Sequence, residues 1–242
     1  MIKALPQSDQ KENMSANQPV KYTWSYSSIG LFKQCPQKYY RIRVKKDIVE
    51  PESDAMRYGT DVHKAAEDYI KEDTPIPAKF SFMQKPLDTL KSKDGEKMCE
   101  FKMGLTKNLM PCGFFDEDVW WRGIADLIVK EDDRAWVVDY KTGKSSKYAD
   151  TKQLELMALA IFKHFPDIKK VKSGLLFVIA NDFVKADFHQ REESVLWRPW
   201  LDDTQRLEKA IEFDVWNPRP NFSCKSWCPV KDCLHNGKSS WR

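Results

Sequence analysis

Two apolar runs lie a few residues apart in the middle of the 242-residue chain: VWWRGIADLIV from Val119, and AWVVDYK from Ala135, with Glu131, Asp132, Asp133 and Arg134 between them. Runs rich in β-branched and aromatic residues, bounded by a short polar cluster, read as an antiparallel hairpin with an acidic turn. With the turn centred between Asp132 and Asp133, opposed residues carry numbers that sum to about 265. Asp126 then stands across from Asp139, and Glu131 across from Arg134. Alternate residues of a strand share a face, so Lys141 projects to the same side as Asp139 and Tyr140 to the other.

This register concentrates chemistry. Cross-strand neighbours hold their Cβ atoms roughly 4.5–5.5 Å apart, and two carboxylates that close repel unless a proton or a cation joins them. Both aspartates are set among apolar residues, where an unpaired charge is costly. Oxygen ligands suit a hard cation, Mg²⁺ or Mn²⁺. Asp126, Asp139 and the Tyr140 backbone carbonyl are the expected ligands of an ion that acidifies a bound water and polarises a phosphate. Lys141 beside them is placed to orient that water and to offset charge building on phosphorus. An isolated Asp-x-Lys in a strand is ordinarily a surface ion pair; the second aspartate at the matching register sets this hairpin apart.

Around the hairpin, Ile29, Phe32 and Tyr40 mark a helix from Ser27 to about Val44 that is interrupted at Pro36. A second helix is expected after Gly59, with Val62, Ala65, Ala66, Tyr69 and Ile70 as its apolar stripe and His63 and Glu67 flanking it. The segment from TPIPAKF to about Leu109 reads as helical. Residues 151–165 carry apolar side chains on more than one face, as a helix buried against a sheet does. SGLLFVIAND reads as a central strand, FVKADFHQ as an edge strand, and Leu201 to Phe213 as a late helix. Residues 1–20 are expected to be a flexible tail and 21–242 a single domain, its catalytic core about 55–200.

No apolar run approaches the roughly 18 residues that span a bilayer, so no membrane association is expected. The sequence opens without the pattern of a secretory signal, so a cytoplasmic, reducing location is expected, where metal ligation outranks disulfides for the six cysteines. Three of them, Cys224, Cys228 and Cys233, crowd into SCKSWCPVKDCLH. A thiolate metal site needs a fourth ligand, and the local choice is His235, which makes a Zn²⁺ site. Cys99 and Cys112 have no partner motif and read as buried thiols. The net charge of +4 is only mildly basic, but KQCPQKYYRIRVKK gathers cations around two tyrosines. Lys38, Tyr39, Tyr40, Arg41 and Arg43 suit phosphate contact and base stacking; the alternative is a solvated helix face over two core tyrosines.

GIADLIV followed by VVDYKTGK resembles the PD-(D/E)XK nuclease superfamily, and within it the RecB-like branch of exonucleases, which includes stand-alone phage enzymes. YSSIGLFKQCPQKYYRIRV is similar to that branch's first helix with its Cys-Pro. GTDVH is similar to its G-x-x-x-H motif, which implies that His63 is a metal ligand or lies next to the metal. Gln153 matches the glutamine of its Q-x-x-x-Y motif and is implied to be catalytic; the tyrosine position holds Met157 instead. The likeness runs from about Tyr26 to His235. It implies an α/β, restriction-endonuclease-like core with a mixed central sheet flanked by helices. It also supplies a distant fourth ligand: a [4Fe-4S] cluster held by Cys35 with Cys224, Cys228 and Cys233, joining segments about 26–45 and 217–237. The implied activity is a Mg²⁺- or Mn²⁺-dependent DNA exonuclease of recombination, repair or genome processing, acting on single strands or duplex ends. Implied partners are a helicase, a recombinase or a single-strand-binding protein. The alternatives are a catalytically inactive DNA-binding adaptor on the same fold and a CRISPR-adaptation-type nuclease.

Overall fold

The structure, a computed structural model, describes residues 22–238; the tail expected at residues 1–20 lies outside them. Helix α1 (Tyr26–Gln34) starts at Ser25, which exchanges capping hydrogen bonds with Ser28. Cys35 is extended, and Pro36 opens α2 (Pro36–Tyr39), where its missing N–H leaves nothing unpaired. The chain continues through a π-helical turn, Tyr40–Val44. Helix α3 (Asp54–Glu72) begins earlier than the expected start after Gly59, because Ser53 accepts the Met56 N–H as its N-cap. Helix α4 (Gln84–Lys91) follows.

Strands β1 (Glu96–Leu105), β2 (Pro111–Cys112), β3 (Trp121–Glu131) and β4 (Arg134–Lys141) lead to α5 (Lys152–His164), then β5 (Lys170–Phe177), β6 (Asp182–His189) and α6 (Glu193–Glu212). They form a six-stranded sheet in the order β2-β1-β3-β4-β5-β6. Every pairing is antiparallel except β4 with β5, which are joined by the α5 crossover. Leu127 faces Val138 and Glu131 faces Arg134, the register expected from the turn. Strand β6 lies at the sheet edge, also as expected.

Two expectations are overturned. Residues 96–105, read as helical, are the long strand β1 that pairs with β3 along its length. The late helix begins at Glu193 rather than Leu201 and carries Pro199 inside it. The carbonyl that Pro199 leaves unpaired in the first turns belongs to the exposed residue Val195, where water can serve as donor.

The sheet is covered on both faces. Leu154 through Phe162 of α5 are all buried; Leu156 to Phe162 pack with α1, α6, Ile128 and Val137, Leu154 packs with Leu175 and Phe177, and each large apolar side chain so buried contributes about 1.5–3 kcal/mol. On the other face Val62, Ala66 and Ile70 of α3 and Leu87 of α4 pack on Leu127, Val129, Val138 and Tyr140. The described residues are thus an α/β fold with a mixed sheet between helices.

Candidate active site

The site forms where the sheet comes apart. Strands β1 and β3 pair on both sides of Glu100 and Asp126, through Cys99 with Leu127 and Phe101 with Ala125, but not at those two residues themselves. Glu100 has a φ of 47°, a left-handed conformation uncommon for a residue with a Cβ. The alternation slips there: Met98 and Phe101 both pack toward α5, as do Ile128 and Ala125 on the facing strand. On the other side the β3–β4 ladder ends at Leu127 and Val138, one step short of Asp126 and Asp139. Asp126 takes over, its Oδ2 accepting the Tyr140 backbone N–H at 2.7 Å.

Its other oxygen faces the open side of the break. Asp126 Oδ1 lies 3.4 Å from His63 Nδ1, Glu100 Oε1 lies 4.0 Å from the same nitrogen, and the three side chains offer ligand atoms all within 4.8 Å of one another. His63 comes from α3 and meets the Tyr140 carbonyl through Nε2 at 3.0 Å. On the α5 side, Lys141 Nζ is 2.7 Å from Asp139 Oδ2, an ionic approach outside good hydrogen-bond alignment. Gln153, in the first turn of α5, ties the pair together: its Nε2 donates to Asp139 Oδ1 at 2.6 Å and its Oε1 accepts from Lys141 Nζ at 2.9 Å. The structure therefore sets Asp126, His63 and the Tyr140 carbonyl together, with Asp139, Lys141 and Gln153 joined to one another on the α5 side. An open groove of about 510 Å³, lined by Met56, Thr60, Lys64, Glu67 and Glu100, leads to His63.

The electrostatics are those of carboxylates short of cations. Burial and the charge of Asp126 push the Asp139 carboxyl up to about 6, against the pull of Lys141. Burial and Asp126 raise Glu100 as well. Burial disfavours the His63 imidazolium, but Asp126, the Tyr140 carbonyl and Asp139 outweigh it and hold the pKa above the ordinary histidine value. Glu100, Asp126 and His63 form a set that fits a hard divalent cation, with the Asp139–Lys141 pair beside it on the α5 side. Glu100 was not singled out in the sequence, because β1 was read as a helix; the one signal for it is its place in line with Asp126 once β1 and β3 are paired.

Three of the cysteines, Cys35, Cys224 and Cys228, are drawn near one another. Cys35 Sγ accepts the Arg219 N–H and Cys224 Sγ the Asn221 N–H, both at 3.4 Å. Burial raises the Cys228 thiol, and Cys224, Lys38 and Cys35 all act on it. Arg219 also donates to the Lys33 carbonyl, and Asn221 to that of Gln34, so the C-terminal segment is fastened onto the end of α1. Cys233 lies in the turn after Val230, and the buried Asn236 binds the Cys228 and Val230 carbonyls. Cys99 and Cys112 are only partly buried, a correction; Cys112 sits beside Asp116 and Asp118.

The basic stretch is corrected in part. Tyr39 is 4% exposed and stacks on Trp216 with centroids 6.0 Å apart, so its ring is not free to receive a base. Arg41 is held between Asp47 and Asp232, each at 2.8 Å, and Lys38 meets Glu50 at 3.3 Å. Tyr40 stacks on the same Trp216 at 5.2 Å, while Arg43 is exposed. Among the described residues no helix is long and apolar enough to cross a membrane.

A sheet split so that paired carboxylates and a lysine meet at the break is the layout of a nuclease. The family model of the PD-(D/E)XK nuclease superfamily matches residues 23–92 and 79–233, and the chain belongs to that superfamily. Its members act on nucleic acid and typically use divalent metals, for which His63, Glu100 and Asp126 are the candidate acidic site. Among solved structures, a Eubacterium rectale protein, "Putative exonuclease", matches with a TM-score of 0.50 at 11% identity, over 96% of this chain and 95% of that one. SSO0001 matches with a TM-score of 0.44 at 14% identity, over 92% and 90%. At 11% identity the likeness to the Eubacterium rectale protein is one of fold. No curated protein matches the chain.

Proposed function

We propose that the protein is a Mg²⁺- or Mn²⁺-dependent DNA exonuclease of the RecB-like branch, acting on single strands or duplex ends in recombination, repair or genome processing. The observation that carries this reading is the convergence of Asp126 and Asp139 with Lys141 at the break in the sheet. The fold likeness to the Eubacterium rectale protein supports the exonuclease part.

In this reading Asp126, Asp139, Glu100, His63 and the Tyr140 carbonyl would hold the ion, which would supply an acidified water and a polarised phosphate oxygen. Lys141 orients the attacking water and offsets charge on the phosphorane. Gln153 fixes Lys141 against Asp139, so that the ammonium reaches the scissile phosphate in one orientation. Arg43 and the rim of the groove beside His63 guide the strand. The test is digestion of end-labelled single- and double-stranded DNA with Mg²⁺ or Mn²⁺. Product ladders are expected from wild type and not from Asp139→Ala or Lys141→Ala; intact DNA in every lane overturns the reading.

Cys35, Cys224, Cys228 and Cys233 are proposed to hold a [4Fe-4S] cluster. The two backbone N–H groups aimed at Cys35 and Cys224 sulfurs support it, as such donors stabilise thiolate-bound clusters. Segments 26–45 and 217–237 then form a clasp within a single nuclease domain, and a helicase or recombinase is the natural supplier of its DNA.

A further inference from the structure

A second cavity, of about 610 Å³, lies between α4 and the face of β4, β5 and β6. It is remote from the chemistry in one respect: Val138 lines it, whereas the neighbouring Asp139 carboxylate is turned to α5 on the opposite face. The registers lay out its floor as a grid. Trp136 stands beside Lys172 and Lys172 beside Asp187; Val138 beside Gly174 and Gly174 beside Lys185; Leu176 beside Phe183. Phe183 lies flat over Gly174, where a Cβ would meet the ring at 2.1 Å, so the glycine is what keeps the floor low. Lys85 and Lys93 stand on the α4 side.

The charge is unbalanced. Lys93 Nζ lies 3.9 Å and Lys172 Nζ 4.6 Å from the centroid of the same Trp136 ring. Among the described residues neither these two nor Lys85 or Lys185 is in an ion pair. The two acids of the cavity are engaged elsewhere, Asp187 with Lys170 at 2.9 Å and Asp182 with Ser146. Two ammonium groups drawn to one indole repel each other, and an anion bound beside them offsets that repulsion while the ring quadrupole still holds both. A volume in the range of small-molecule sites, an apolar and aromatic floor and a cationic wall together describe one kind of ligand: a flat ring attached to a phosphate.

We infer that this cavity is a second nucleotide-binding site, with the phosphate on the side of Lys93 and Lys172 and the base on the Phe183 side of the floor. Its occupant is a nucleotide unit, either free or within a nucleic-acid strand. The inference goes beyond the active-site reading and does not depend on cleavage.

The test is binding to the full chain in EDTA, so that no strand is cut, comparing wild type with Lys93→Gln/Lys172→Gln. The probes are dAMP, inorganic phosphate and a fluorescein-labelled oligo-dT 12-mer. The double variant is expected to weaken dAMP, the oligonucleotide or both by about ten-fold, and to lower the salt slope for the oligonucleotide by about 0.7, as for one lost single-strand phosphate contact. Weakening of dAMP assigns the site to free nucleotides; weakening of the oligonucleotide alone assigns it to a strand. Unchanged binding of both by a normally folded variant overturns the site, as does a loss confined to inorganic phosphate. Lys93→Gln alone, which keeps a long polar side chain at a half-buried position, is the check if the pair folds poorly. Cleavage of a labelled dinucleotide with Mg²⁺ by the variant stays at the wild-type rate; its absence in wild type as well counts against the active-site reading and leaves this one standing.

Discussion

Asp126 accepts the Tyr140 backbone N–H through one carboxylate oxygen, at 2.7 Å, and turns the other toward His63. The side chain thus replaces a ladder acceptor where β3 and β4 part, and holds the carbonyl of Tyr140 beside His63. One residue both keeps the break in the sheet open and supplies charge to it.

The two roles separate by substitution. Asp126→Asn keeps an oxygen for the Tyr140 N–H, so stability is expected to change by no more than about 1 kcal/mol. Asp126→Ala leaves that buried N–H unpaired and is expected to cost about 1–3 kcal/mol. Both should lower metal-dependent cleavage about 100-fold or more, the scale of losing one group that stabilises transition-state charge. Denaturant titration and cleavage rates on the same preparations decide; an Asn variant with wild-type activity removes Asp126 from the metal site.

Asp139 makes stability depend on pH in the metal-free protein. Burial and Asp126 raise its carboxyl from 3.8 to about 6, so the folded chain binds a proton that the unfolded chain has released between those values. The group's contribution is fully present at pH below 3.8 and is lost as pH rises through about 6. A shift of this size corresponds to roughly 3 kcal/mol. His63, also raised when folded, acts in the same direction at higher pH. Urea melts in EDTA from low to neutral pH should show wild type losing about 2–3 kcal/mol relative to Asp139→Asn, and added Mg²⁺ should flatten the difference. Parallel profiles for the two proteins refute the assignment.

The hairpin was legible because its chemistry is local. Turn position sets register, and register carries Asp126 and Asp139 to the first positions beyond the end of the β3–β4 ladder. Strand β1 was not. Met98, Phe101 and Leu105 are spaced by three and four, as on a helix face, because the strand slips its alternation at Glu100, whose φ is 47°. The distortion that builds the site erased the period-two signal, and Glu100 went unnoticed with it. Tyr39 misled for another reason: a basic, aromatic segment looks the same whether its ring meets a base or, as here, Trp216, which is far away in sequence.

Gln153 bridges Asp139 and Lys141 with bonds of 2.6 and 2.9 Å. Gln153→Ala frees the ammonium to swing and leaves Asp139 with one partner fewer. The turnover rate is expected to fall about 10- to 100-fold, the usual range for a residue that orients a ligand or catalytic group, with KM for DNA little changed. Gln153→Glu can still accept from Lys141 but adds a carboxylate beside Asp139, and should shift the acid limb of the rate profile upward. A change confined to KM places Gln153 in DNA binding instead.

The cysteine clasp makes a prediction that needs no substrate. Cys35 is in the gap between α1 and α2, and its sulfur meets the Arg219 N–H, so a cluster spanning Cys35 and the three later cysteines closes a loop of most of the chain. Loss of a ligand that joins distant segments is expected to cost about 2–5 kcal/mol, by analogy with removal of a long-loop crosslink. Anaerobically purified wild type should be brown and contain iron and acid-labile sulfide in equal amounts. Cys35→Ser and Cys228→Ser should be colourless, less stable, and cut by protease within the segment around Arg219. Zinc bound at one ion per chain, retained in Cys35→Ser and lost on replacing His235, transfers the site to the local Cys224, Cys228, Cys233 and His235 set, and the clasp then rests on hydrogen bonds, the Arg41–Asp232 ion pair and the Trp216 stack.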